Sequence, residues 1–253
     1  SYVTSSRDLY VNRNDLVNVG QTALLLGNPT FGKDRQQKLD LVNLPGAEKE
    51  VHDIGDQLSL SGWEVNVMKN EQATESRLKA TFNPSVLHIA THGYFSDSDP
   101  VLSSVTPGND PMFKSGLFLT GALDAYKNYR EGIFQDSNND GILSAYEASN
   151  LHLQKTHLVV LSACETSLGD IESGEGVYGL QRAMMVAGAK NLITSMTKVD
   201  DQATQVLMAI FYEEYIKTDN VALSLERAQL KLREKFPDPR IWGAFLLTGT
   251  GFL

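Results

Sequence analysis

A chain of 253 residues with 42% apolar and 21% charged residues can bury a full core, and its length allows one to two domains. The net charge of −9 argues against direct nucleic-acid binding, because neutralising phosphates takes clustered Lys and Arg. No apolar run approaches the roughly 20 residues that span a bilayer and no signal peptide opens the chain, so no membrane partner is expected; a first residue of Ser rather than Met fits a piece cut from a longer protein.

In chain order, an apolar strand over Thr22–Leu26 is followed by a helix over Ala47–Leu60 after a Pro-Gly start. Strands over Glu64–Val67 and Val86–Ala90 come next. Two stretches dense in turn formers, Ser96–Asp110 and Gly132–Asp140, read as long loops inside a single domain covering 1–253. A strand over Leu158–Ser162, a strand over Leu192–Ser195 and helices over Gln202–Ile216 and Ser224–Lys235 follow, and a strand over Ala244–Leu247 ends the series. The helix over Gln202–Ile216 carries Val206, Leu207, Ile210, Phe211 and Tyr215 on one side; Leu225, Ala228 and Leu232 repeat that spacing in the next. Strands that are nearly all apolar, alternating with amphipathic helices, predict an α/β fold: a mostly parallel sheet with helices on both faces.

The chain has one cysteine, Cys164. A lone Cys makes no internal disulfide, which favours a reducing, cytoplasmic setting, and it excludes thiolate-rich structural zinc sites. Composition leaves two readings of Cys164, buried filler or chemical thiol. Position favours the second. The strand Val86–Ala90 runs into Thr91-His92-Gly93, and the strand Leu158–Ser162 runs into Ala163-Cys164-Glu165. Ligands of open parallel sheets bind at the carboxyl ends of strands, so His92 and Cys164 are expected at one edge. A nearby imidazole can activate a thiol that is otherwise mostly protonated at neutral pH. The backbone N–H groups of Gly93 and Cys164 are the natural oxyanion donors. His88, two residues before the strand ends, reads as structural; His52, His152 and His157 have no partner visible in the sequence.

Two further motifs have competing readings. Asp136, Asn138, Asp140, Ile142 and Glu147, with Gly141 at the sixth position and Ser144 at the ninth, match an EF-hand calcium loop. Ser144-x-x-Glu147 is equally a capping box for a short helix. Gly174-Glu-Gly176-Val-Tyr-Gly179 spells a dinucleotide fingerprint, but it trails its strand by about ten residues. Asp170, Glu172 and Glu175 would repel a pyrophosphate, so the motif reads as a flexible loop beside Cys164 that feeds a helix.

The segments LHIATHGYF, SGLFLTGA, DGILSAYEASNL, LVVLSACETSLG, GEGVYGLQRAMMVAGAKNLITSMTKVDDQAT and WGAFLLTG, with ALLLGNPTF, LPGAEKEV and EQATESRLK upstream, resemble a CHAT domain over nearly the whole chain. The resemblance implies a caspase-like fold of the kind appended to helical repeats in bacterial proteins. It implies a separase-like cysteine endopeptidase with His92 as general base and Cys164 as nucleophile, acting on a protein substrate without a required cofactor. It also implies control by an activating protein or by a helical-repeat region of the same polypeptide. In separases an acidic residue after the next strand lines the S1 pocket; Asp200 matches it here and would favour a basic side chain before the scissile bond. Lys198 beside it, or an N-cap role for Asp200 or Asp201, offers an alternative. In the same way, Asp140-Gly141-Ile142 to Glu147 resembles a CHAT element that needs no calcium. The rival reading of the whole chain is a catalytically silent protein-interaction or calcium-sensing module.

Overall fold

The computed structural model describes residues 20–32, 41–108, 110–133, 139–162, 175–195 and 201–249. Its main sheet has six strands: β1 (Thr22–Pro29), β2 (Glu64–Asn70), β3 (Val86–Ala90), β7 (Leu158–Leu161), β8 (Asn191–Ser195) and β9 (Phe245–Gly249), in the order β2-β1-β3-β7-β8-β9. The first five run parallel, and β9 closes the edge antiparallel to β8. All six strands were anticipated, within three residues at each end.

Alternation along each central strand sends side chains to two separate cores, since successive Cβ atoms point to opposite faces. Ala23, Leu25, Val86, Leu158, Val160 and Ile193 join one cluster with α1 (Pro45–Leu60), α8 (Asp201–Thr218) and α9 (Val221–Lys235). Leu24, Leu26, Leu87, Ile89, Val159, Leu161 and Leu192 join a second, with Leu78 of α2 (Glu75–Lys79) and Leu180, Ala183 and Met184 of α7 (Glu175–Val186). Runs such as Leu24–Leu26 and Leu158–Leu161 are therefore apolar without a break because both faces are covered, as expected for a parallel sheet. Leu207, Phe211 and Tyr215 of α8 and Leu225, Ala228 and Leu232 of α9 are buried on the faces the spacing predicted.

A second sheet was not anticipated. β4 (Gly93–Phe95), β5 (Ser115–Phe118) and β6 (Ile142–Ser144) form an antiparallel sheet of order β4-β5-β6. Strands of three or four residues are too short to show a period of two. The stretch Ser96–Asp110 is also not one long loop. It contains a 3-10 turn at Ser96–Ser98 and α3 (Pro100–Val105), and it leads into α4 (Pro111–Lys114). Its turn formers are caps: Asp99 accepts from the N–H groups of Val101 and Leu102, and Asp110 from that of Met112, each followed by Pro in the first helical position. Together with α5 (Ala122–Arg130), this excursion builds a third core around Phe31, Tyr94, Leu102, Phe118 and Tyr126. The Tyr126 hydroxyl ties it together by donating to Asp99 Oδ2 at 2.8 Å. The short helices α6 (Ala145–Ala148) and α10 (Pro239–Trp242) complete the order.

Candidate functional site at the carboxyl edge of the sheet

β3 brings two histidines into the protein, and their surroundings differ. His88 is fully buried on the face shared with α1 and α8. Its Nε2 lies 2.8 Å from Glu50 Oε1 of α1, and its Nδ1 lies 3.0 Å from the Tyr212 hydroxyl of α8. Both ring nitrogens are bonded, so His88 is the structural histidine expected.

His92 lies just past the end of β3, 8% exposed. Its Nε2 is 2.9 Å from the Val42 carbonyl, and the Phe31 ring packs against it with centroids 5.3 Å apart. A carbonyl only accepts, so Nε2 carries a proton, and in the neutral ring the lone pair is then on Nδ1. A backbone carbonyl thus selects the tautomer in which Nδ1 can take a proton.

The next residue begins β4. His92 carbonyl accepts the Phe118 N–H at 2.9 Å, which makes 92 and 118 a hydrogen-bonded pair. In an antiparallel ladder the neighbouring pair, Gly93 with Leu117, is then the non-hydrogen-bonded kind. The Gly93 N–H accordingly points away from β5, a requirement for any role as an oxyanion donor.

β7 lies beside β3, as the edge geometry predicted. His88 is in register with Val160 and Ile89 with Leu161, and the Ser162 N–H donates to the Ile89 carbonyl at 2.8 Å. Cys164 and Asp200 fall outside the described residues, as do Asp136 and Asn138.

The described members of the calcium-type loop have other bonds. Asp140 Oδ1 accepts from the Ile142 N–H at 2.8 Å, and its Oδ2 from the Tyr129 hydroxyl. Ser144 and Glu147 form the capping box of α6, and Lys79 Nζ reaches Glu147 Oε1 at 2.9 Å. Glu75, almost fully buried, accepts the Gly141 N–H at 3.0 Å and pairs with Lys79 at 2.6 Å. Burial, reinforced by the nearby Glu147 charge, pushes the Glu75 carboxyl up to about 7 against Lys79 and the Gly141 N–H, which pull it down. Ile142 lies in β6, its backbone paired with Phe118.

Glu175–Gly179, expected as a flexible loop, is the first part of α7. A Cβ on Gly179 would lie 2.1 Å from Ser115 Oγ and 2.6 Å from the Pro111 carbonyl oxygen. This glycine therefore serves close packing of α7 against α4 and β5. Of the remaining histidines, His157 Nδ1 bonds the Tyr215 hydroxyl at 2.8 Å, His152 packs on Phe82, and His52 is exposed beside Asp53 and Asp56.

Val42 and Phe31 are the site residues that sequence reasoning missed. Val42 acts through its carbonyl, which any residue type supplies, so no sequence signal exists for it. Phe31 lies at the end of ALLLGNPTF, where it reads as a core residue, and only the fold shows its contact with His92.

Curated relatives include tetratricopeptide repeat protein 28 of Homo sapiens, 24% identical over 242 residues, and its Mus musculus counterpart, 24% identical over 238 residues. Each alignment covers 90% of this chain but only 9% of the relative. Among solved structures, the Arg-specific cysteine proteinase gingipain R aligns with a TM-score of 0.55 at 11% identity, covering 92% of this chain and 47% of that one. The complex of the pro- and mature domains of Porphyromonas gingivalis RgpB gives a TM-score of 0.50 at 10% identity with the same coverage. At such identities the likeness is one of fold, and that fold is caspase-like. The CHAT domain family matches residues 1–250, and the chain belongs to it.

Proposed function

We propose that this chain is a cysteine endopeptidase that cleaves a protein partner through His92 and Cys164. The observation that carries the reading is the bond from His92 Nε2 to the Val42 carbonyl, which puts a proton on Nε2 and makes Nδ1 the basic nitrogen of the neutral ring. The β3–β7 register adds support, because its offset equals the offset between His92 and Cys164. In the reaction, His92 Nδ1 takes the Cys164 thiol proton and the thiolate attacks the peptide carbonyl. The oxyanion is met by the backbone N–H groups of Gly93 and Cys164. Collapse breaks the C–N bond, the imidazolium gives its proton to the leaving amine, and a thioester remains. Water, deprotonated by His92, then cleaves the thioester and restores the thiol. No cofactor takes part in these steps.

Asp200 is the proposed S1 acid, selecting a basic side chain before the scissile bond. The relatives' repeat-protein names fit control by a helical-repeat region or an activating protein. The test is cleavage of a peptide library together with iodoacetamide labelling at neutral pH. Cys164→Ala should abolish cleavage with an unchanged circular dichroism spectrum, and His92→Ala should slow labelling of Cys164. Persistent cleavage by Cys164→Ala would sink the dyad; unchanged preference in Asp200→Ala would remove the S1 assignment alone.

A further inference from the structure

The segment Gly27-Asn28-Pro29 closes β1, and its pairing with β2 shifts between Gly27 and Pro29. A Cβ on Gly27 would lie 2.8 Å from the Ala47 carbonyl oxygen and 2.8 Å from a Val51 methyl, so α1 rests directly on this backbone. Asn28 is buried at a φ of 48°, a left-handed conformation that Asn tolerates better than most residues. Its side chain makes three hydrogen bonds. Oδ1 accepts the Leu44 N–H at 2.6 Å, and Nδ2 donates to Glu48 Oε2 at 3.0 Å and to Asn70 Oδ1 at 3.2 Å. The Asn28 amide, followed by Lys69, holds the Glu48 carboxyl below the usual range.

This clamp sits between the two contacts of His92. Phe31, three residues after Asn28, packs on the imidazole; Val42, two residues before Leu44, holds its Nε2. Leu44 is the N-cap of α1 and has no side-chain cap of its own. The Asn28 amide is therefore the side-chain bond that fixes the Leu44 N–H at the entry to α1.

We propose that Asn28 is a positioning residue for His92: by clamping the Leu44 N–H it seats the Val42 carbonyl on Nε2 and so selects the tautomer with its lone pair on Nδ1. The inference rests on the dyad reading for its catalytic consequence, but the tautomer itself can be read independently. Without the clamp the 41–44 segment loses its hydrogen bond to β1 and keeps only the packing of Leu41 and Leu44 in the third core, and the neutral imidazole also populates the Nδ1–H form, whose Nδ1 cannot accept a thiol proton.

The test uses nitrogen-15 histidine NMR to read the His92 tautomer and the pH profile of iodoacetamide alkylation to read Cys164. Asn28→Gly accepts the left-handed φ and removes only the side-chain bonds. It should mix the His92 tautomers, slow alkylation at pH 7 roughly tenfold and move the profile toward the roughly 8.5 of an ordinary thiol. In N28D/E48Q the carboxylate still accepts from Leu44 and now receives the Gln amide, so the wild-type tautomer and most of the rate should return. A wild-type tautomer in folded Asn28→Gly overturns the clamp. Should Asn28→Gly fail to fold, N28D/E48Q decides: retention of the tautomer supports the clamp, its loss overturns it. A wild-type alkylation profile in His92→Ala would instead remove the dyad, leaving the tautomer measurement to judge Asn28.

Discussion

His88 and His92 are four residues apart, both buried, and put to different uses. His88 lies mid-strand, where α1 and α8 cover the sheet, and side chains from both helices bond its two nitrogens. His92 lies where the strand has ended, and a backbone carbonyl fixes the proton on one nitrogen. The contrast shows that position along a parallel strand decides what a histidine can do. In mid-strand its polar atoms must be satisfied by the covering helices; at the carboxyl end the loops arrange what it meets.

The largest expected effect sharpens this contrast directly. His92→Ala should lower kcat/KM for a cleaved peptide by about 10²- to 10⁴-fold, at a cost of about 1–3 kcal/mol in urea unfolding for the lost Val42 bond and Phe31 packing. His88→Ala should act on stability instead. It strands the Glu50 carboxylate in the core and is expected to cost about 3–5 kcal/mol in urea unfolding, with the folded fraction still able to cleave. Equal losses of activity in the two folded variants would break the distinction.

Glu75 extends the comparison to a buried acid at the entry to β6 rather than at the end of β3. Its carboxyl, raised to about 7 from an ordinary 4.5, holds its proton more tightly in the folded state. Its contribution to stability is therefore full below about pH 4.5 and declines as pH rises toward 7, by at most about 3 kcal/mol. Urea midpoints for wild type and Glu75→Gln between pH 5 and 8 should show this slope in wild type and a flatter one in the variant. The smallest effect is at Tyr212: replacing it with Phe removes one bond to His88 and should cost about 1 kcal/mol, with cleavage unchanged.

Much of the fold was legible because burial on both faces writes itself as uninterrupted apolar runs. Leu24 to Leu26 and Leu158 to Leu161 could be read without knowing their neighbours, and so could Val86 to Ala90, where His88 is the one polar residue. The excursion after β4 was harder to read. Asp99-Pro100 and Asp110-Pro111 look the same in a loop and at a helix start, and only the third core makes them caps. The Gly174–Gly179 motif misled in a similar way, since Gly179 answers to Ser115 and Pro111, which are distant in sequence.

By itself, the sequence determined which runs form the main sheet, that His92 and Cys164 each follow one of them, and that His88 belongs to the core. These are local properties, carried by hydrophobic pattern and by residue type. The tertiary structure alone decided which atoms hold the site. The Val42 carbonyl, the Gly93 N–H turned from β5 and the Asn28 amide on Leu44 are backbone or amide groups whose partners lie elsewhere in the chain. No local pattern encodes them, because their partners are set by where the fold brings distant segments together.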